Sequence, residues 1–427
     1  MENSVKFHGN KAALGAFLVI FVNLGVCSTL GVFITSFSEY SGWPLGICGY
    51  IGTVNTVGNV FLSLVAVKSM AKFGNKVTML ISILACALHV NLYCFVTPGA
   101  NLPSLLCIYL AGFLASFSIT FGTHAVCSTV IAEWFIEKRG QITGMVFSGA
   151  GFGAAIWVFL AGQLFKIMDY KGSYRVICVL TLVIGLFAVF FLIKDPKKLG
   201  QKPLGWEKAE ELAKVSDSGN VIGVDKKTAL RSPSFWLLAA ALLCVCSAGS
   251  AFMAYSPAWW QMNGLSSTQA SNWTAIYLIL AGLVLLLVGK VAGKIGPAKF
   301  AIVVCIAYTL CAVFMFLLEN NPTVMLMTLV VLFGALAYPL SASIPGLMGQ
   351  SIFGMKDFAA ISSVLMTAVY CGQALYAPIM AGFLAGEGGM ATGWKFFGVV
   401  ALIGMALILI AISRAPVKRL PATESAG

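Results

Sequence analysis

The chain has 427 residues, 59% of them hydrophobic and only 10% charged. Soluble domains carry roughly a quarter charged residues, so this much apolar surface excludes burial in a single soluble core. The formal net charge is +12, but the basic residues stand singly between apolar blocks. They form no stripe or aromatic-interleaved patch that would follow a phosphate backbone, which excludes a nucleic-acid partner. The twelve cysteines all fall inside apolar blocks, where thiols behave as small hydrophobes, and show neither a disulfide framework nor zinc spacing.

A membrane-crossing helix needs about 20 mostly apolar residues, and twelve such stretches follow one another. The first, 12–36, is too long for the apolar core of a cleaved leader and is expected to remain as a helix. Next come 45–67, 77–97, 103–130, 141–165 and 174–194. A polar run interrupts the pattern, with nine Lys and Arg against six acids between Lys194 and Ser234. The plan then resumes with 234–256, 268–290, 298–318, 322–350, 358–384 and 394–413. The expected architecture is an all-α membrane protein with 12 transmembrane helices in two six-helix pseudo-symmetric bundles. These comprise residues 1–194 and 234–427, joined by a cytoplasmic central loop at 195–233 and ending in a short cytoplasmic tail.

With the N-terminus inside, all Lys and Arg except Lys166, Lys171, Arg175 and Lys395 fall on one side. The bias of basic residues towards the cytoplasm then predicts a multi-pass protein of the plasma or inner membrane with both termini cytoplasmic. An internal repeat supports the two-bundle plan at a shift of about 220 residues. Lys72-Phe73-Gly74-Asn75-Lys76 after the second helix pairs with Lys294-Ile295-Gly296-Pro297-Ala298-Lys299 after the eighth. Trp134 to Gly140 after the fourth helix pairs with Ile352 to Asp357 after the tenth.

Several stretches carry a family resemblance. They are the degenerate loop after the second helix, the WFIEKRGQITGMVFSGAGFG run from Trp134 to Gly153, and the FGMKDF run followed by Gly372, Pro378 and Gly382. TALRSPSFWLL, from Thr228 to Leu238, joins them. Together they resemble the major facilitator superfamily, most closely its monocarboxylate-transporter-like branch, which includes oxalate/formate antiporters. The resemblance covers nearly the whole chain and implies alternating access about a site between two six-helix halves. The sequence departs from the usual GxxxDRxGRR loop, with Val67, Ala71 and Lys72 at the first Gly, Asp and Arg positions, and Gly293 at the second-half Asp position. The basic residues that oxalate-type relatives present from helices 8 and 11 are also missing. Lys290 stands only at the end of helix 8 and helix 11 has none.

Ionisable and polar groups in apolar helices are the candidates for recognition. His124, in the cytoplasmic third of helix 4, can take up a proton or donate to a carboxylate; a histidine bonded to a neighbouring helix is the equal alternative. Asn23, Trp157, Tyr255, Asn272, Tyr277, Tyr338, Tyr370, Gln373 and Tyr376 offer aromatic and amide groups suited to an organic solute with few charges. Trp259, Trp260 and Trp273 fit an interfacial aromatic belt as well as a binding surface. Lys72, Glu133, Glu137, Arg139, Lys356 and Asp357 sit where the resemblance implies a cytoplasmic gate, in which Glu133 and its neighbours pair with the helix 10–11 loop or with Lys72. Ordinary interfacial charge is the alternative reading. The glycines Gly140, Gly144, Gly149, Gly151 and Gly153 suit close helix packing, and Pro339, Pro345 and Pro378 are expected to kink their helices.

The expectation is a secondary active transporter for a small organic solute, an organic acid or a related aromatic or amphipathic metabolite, and not an enzyme. Its partners would be that small-molecule substrate, a proton or counter-solute, and the lipid bilayer. No cofactor or metal is expected, and a monomer is. A non-transporting solute sensor on the same fold, or a membrane-embedded enzyme, are the alternatives. The enzyme lacks clustered His, Asp or Glu, since the three histidines stand at 8, 89 and 124.

Overall fold

The computed structural model describes residues 7–136, 139–206, 223–319, 323–354, 357–386 and 388–416. Twelve helical stretches among them are long and apolar enough to cross a membrane. Spans 1 to 6 are Gly9–Ser41, Leu45–Leu62, Lys68–Phe95, Leu102–Trp134, Ile142–Ile167 and Tyr170–Leu192. Spans 7 to 12 are Pro233–Met262, Ser267–Val288, Pro297–Leu317, Val324–Ala342, Val364–Ala385 and Gly389–Ser413. In each unit the side on which its odd-numbered spans begin is here called the terminal side; the other is the far side.

Polar residues just outside the apolar runs start the helices by accepting bonds from free backbone amides. Asn101 accepts from the Ser104 amide at 2.9 Å ahead of span 4, and Ser232 accepts from that of Phe235 at 3.3 Å ahead of span 7. At span 8 the reciprocal box is complete: the Gln269 amide donates to Ser266 Oγ at 3.2 Å, and the Ser266 amide to Gln269 Oε1 at 2.9 Å.

The repeat read in the sequence has a backbone counterpart. Gly74, with φ 80° and ψ 169°, turns the chain from span 2 to span 3; Gly296, with φ 87° and ψ 147°, turns it from span 8 to span 9. Both are left-handed conformations that glycine adopts without penalty. Span 4 breaks at Thr123 (φ −120°, ψ −130°), and span 10 ends at a break at Ser343 (φ −121°, ψ −32°), the equivalent place in the other repeat. Span 10 also parts at Tyr338, before Pro339, as its prolines predict, whereas the helix of span 11 runs unbroken through Pro378.

The chain folds as two units, Met1–Leu30 with Gly58–Asp217 and Gly31–Val57 with Ser218–Gly427. Spans 1 and 2 therefore change unit partway along. In unit 1, spans 1 and 5 meet backbone to backbone: a side-chain carbon at Gly149 would lie 2.8 Å from the Phe17 carbonyl oxygen, and one at Gly153 2.8 Å from the Phe21 α-carbon. In unit 2, Gly372 of span 11 meets the Leu243 backbone of span 7 in the same manner, 2.9 Å from its α-carbon. Small residues allow such approaches between membrane helices.

Each end of the central loop is pinned within its own unit. In unit 1, the Leu204 amide donates to Trp134 O and the Ile136 amide to Leu204 O, both at 2.9 Å. In unit 2, the Val224 amide donates to Phe353 O at 3.0 Å, beside a bridge between Gly223 and Gly354. The loops after spans 4 and 10 thus receive the linker at matching positions.

Candidate functional site

Unit 1 has a polar centre built from three spans. Asn23 of span 1 is fully buried; its Nδ2 donates to Ser82 Oγ of span 3 at 3.1 Å, and Ser118 Oγ of span 4 donates to its Oδ1 at 2.7 Å. Ser82 Oγ in turn donates to Met79 O at 2.7 Å. Both ends of the amide are engaged, as a buried amide requires. Trp157 of span 5 is also buried and packs on Phe21 with ring centroids 6.3 Å apart, while its indole N–H meets no acceptor among the described residues.

Unit 2 has an aromatic centre. Phe252 of span 7 meets Tyr277 of span 8 edge-on at 5.1 Å and Trp394 of span 12 at 6.2 Å. Tyr277 continues to Tyr338 of span 10 at 6.2 Å. Edge-to-face pairs at these separations are the favoured aromatic geometry. Tyr255 and Tyr376, of spans 7 and 11, form a second edge-on pair at 6.0 Å. The Tyr255 hydroxyl and the Trp394 indole N–H are buried without a hydrogen-bond partner among the described residues. Among spans 7, 8, 10, 11 and 12 the one Asp, Glu, Lys or Arg is Lys395 of span 12, which lies 3.8 Å over the Phe316 ring, so the resources left to this centre are ring faces, hydroxyls and amides. Such groups orient a solute by hydrogen bonding and stacking rather than by charge pairing.

On the far side, unit 2 contains a tight seam between residues 31–57 and spans 7 and 11. Gly31 approaches the Ala254 carbonyl oxygen (2.9 Å from a side-chain carbon placed there) and Pro257. Gly46 approaches Ala381 at 3.2 Å. The hydroxyls of Tyr255 and Tyr376 press onto Gly49 and Gly52 respectively. Gln261 Nε2 donates to Thr35 Oγ1, and Thr53 Oγ1 to Ala374 O, each at 3.0 Å.

On the terminal side, Asn75 Nδ2 donates to Glu133 Oε1 at 2.8 Å, linking the span 2–3 turn to the end of span 4. Lys72 is exposed and lies 5.1 Å over the Phe73 ring. Asp357 Oδ2 accepts from the Lys226 amide at 2.9 Å. Asp225, outside the spans, accepts from the Thr228 amide at 3.0 Å and the Thr228 hydroxyl at 2.7 Å. These bonds hold its carboxyl below the ordinary carboxylate value.

The structure thus brings Tyr277 and Tyr338 together around Phe252, and Tyr255 and Tyr376 together at the seam. Asn272, Tyr370 and Gln373 are half-buried on spans 8 and 11. Asn23 and Trp157 stand in unit 1. Glu137 and Lys356 lie outside the described residues, as do the side chains of His124 and Arg139. Trp259 and Trp260 are buried, Trp259 donating to Met315 O at 2.9 Å, so they belong to the helix packing and not to an interfacial belt. Reading the sequence passed over Phe252, Trp394, Ser82, Ser118, Gly49 and the Asn75 bond to Glu133. Asn75 was within reach, since the motif loop containing it faces the end of span 4.

Twelve candidate membrane spans among the described residues, a 220-residue repeat and glycine turns at equivalent loops define a polytopic helical membrane protein built from two repeats. Residues 16–352 match the Major Facilitator Superfamily, and the chain belongs to that family: it is a multi-pass membrane protein and a secondary transporter. It is 22% identical over 303 residues to the MFS-type transporter pytF of Aspergillus terreus (strain NIH 2624 / FGSC A1156), covering 66% of this chain and 88% of that one. It is 24% identical over 328 residues to the oxalate:formate antiporter of Oxalobacter formigenes, covering 75% and 72%. Its fold is similar to that of a D-xylose-proton symporter, with a TM-score of 0.69 at 13% identity, over 97% of this chain and 100% of that chain. Family and structural neighbours are transporters, not enzymes.

Proposed function

We propose that the protein moves a small organic solute, an organic acid or a related aromatic or amphipathic metabolite, by alternating access, coupled to a proton or a counter-solute. The observation that carries this reading is the uncharged aromatic centre of unit 2, where Tyr277, Tyr338, Phe252 and Trp394 meet on spans 7, 8, 10 and 12, the first three of which have no acids or bases. A dianion would need paired cations, which those spans lack; a monoanion or neutral aromatic needs only hydrogen bonds and ring contact. The similarity to an oxalate:formate antiporter supports an organic acid, and the missing basic residues favour a solute of lower charge than oxalate. Tyr370 and Gln373, on the same helix as Tyr376, complete the proposed binding set; Asn272 of span 8 is a further candidate.

In this reading residues 1–194 and 234–427 are the two moving halves and 195–233 the cytoplasmic linker. Both termini are cytoplasmic on the basic-residue count, and the protein works as a monomer in the plasma or inner membrane. Lys72, Glu133, bonded to Asn75, and Asp357, bonded to the Lys226 amide, are the described members of the terminal-side gate.

Thermal unfolding of the purified protein with monocarboxylates, dicarboxylates, aromatic acids and neutral aromatics tests this. A ligand at a hundred times its Kd stabilises the fold by about 2.7 kcal/mol. Stabilisation by monocarboxylates or aromatic acids is expected and should be lost in Gln373→Ala. Stabilisation by oxalate-like dianions alone would overturn the proposed solute class.

A further inference from the structure

We infer that Gly49 and Gly52 of span 2, with Tyr255 of span 7 and Tyr376 of span 11, form a far-side latch that must release for the site to open. The inference rests on the alternating-access reading and assigns Tyr255 and Tyr376 to gating rather than to solute contact. Each tyrosine hydroxyl is seated where a side-chain carbon of its glycine would stand. The two glycines are three residues apart, so they lie on one helix face and the two hydroxyls engage successive turns. Only glycine allows this depth of approach, and the flanking contacts of Gly31 with Ala254 and Gly46 with Ala381 continue the same close fit.

The latch is also built to release. Two side-chain hydrogen bonds cross it at 3.0 Å, from Gln261 to Thr35 and from Thr53 to Ala374, and both can be replaced by water. The Tyr255 hydroxyl is buried without a partner among the described residues, so closure carries an uncompensated polar group and opening to water relieves it. Tight packing favours the closed seam, and the stranded hydroxyl opposes it. The tyrosine pair is therefore a balance point between two conformations.

Cys48 reports on this balance, because it is fully buried next to Gly49. The experiment is the rate at which N-ethylmaleimide labels Cys48 in the full chain in liposomes, read by mass spectrometry of its peptide. Gly52→Ala should raise the rate about tenfold by forcing the Tyr376 hydroxyl off its seat. Adding Tyr376→Phe should return the rate towards the original, because the clashing oxygen is gone. Tyr255→Phe should lower the rate, since it removes the stranded hydroxyl and adds nothing. An unchanged rate in Gly52→Ala, or no reversal by Tyr376→Phe, overturns the latch. If Gly52→Ala does not fold, Tyr255→Phe decides: slower labelling supports the latch, and unchanged or faster labelling overturns it. No solute is needed for the readout. Altered labelling without flux of the proposed solutes would keep the latch and remove the proposed solute class, and flux of those solutes with unaltered labelling would do the reverse.

Discussion

The Asn23 cluster of unit 1 and the aromatic centre of unit 2 treat buried polarity in opposite ways. In unit 1 Asn23 has both ends of its amide bonded to serines on two other spans. In unit 2 the Tyr255 hydroxyl and the Trp394 indole N–H have no partner among the described residues. A satisfied amide fixes how three helices pack, whereas an unsatisfied donor costs free energy until something reaches it. The Asn23 cluster is architecture, whereas Tyr255 and Trp394 hold donors in reserve, which is the property a binding or moving surface needs.

What the units share should give the largest effect. Gly153→Val drives a side chain into the span 1 backbone at Phe21 and should destabilise unit 1 by about 3 kcal/mol or prevent folding. Gly144→Ala, where a side-chain carbon meets nothing within 4 Å, should leave the thermal midpoint unchanged. The contrast between the units comes next. Asn23→Leu breaks two interhelical bonds and should cost about 1–2 kcal/mol in thermal unfolding in detergent, while Tyr255→Phe should cost nothing measurable. Equal losses in the two variants would erase the distinction drawn between the units. Smaller again is Tyr308→Phe, which removes the 2.6 Å bond to the Ala248 carbonyl and should cost about 0.6 kcal/mol. Finally, Asp225→Ala should weaken the exposed helix start after the linker in a pH-dependent manner. Its carboxyl pKa is lowered from the ordinary 3.8 by the Thr228 bonds. The cap therefore contributes fully above that value and is lost as pH falls through the lowered one. Amide exchange at Thr228 should separate variant from parent near neutral pH and converge in acid.

The helical frame was legible because the length of an apolar run is itself a membrane measurement. Gly74 and Gly296 were legible as turns because each sits amid lysines between two such runs. The breaks at Thr123 and Ser343 were harder, since neither residue stops a helix by itself. Next to Thr123, Gly122 is pressed against Asn23 and Ser82, so tertiary contact accompanies the break. Asn23 could be picked out as polar in an apolar helix, but Ser82 and Ser118 lie too far along the chain for spacing to join them to it. Tyr255 and Tyr376 stood out as aromatics, yet Gly49, which receives Tyr255, is an ordinary small residue until the helices are placed. The division of spans 1 and 2 between units was invisible, because a helix's own periodicity names its buried face and not the neighbour that covers it.

The pins at Leu204 and Gly223 change what the central loop amounts to mechanically. Instead of the whole polar run, only residues 205–222 join one pin to the other, a contour of about 60 Å at full extension. Cutting the backbone between them would spare both pins, because each is made inside one unit, so two separately translated pieces would each retain the turn that receives the linker.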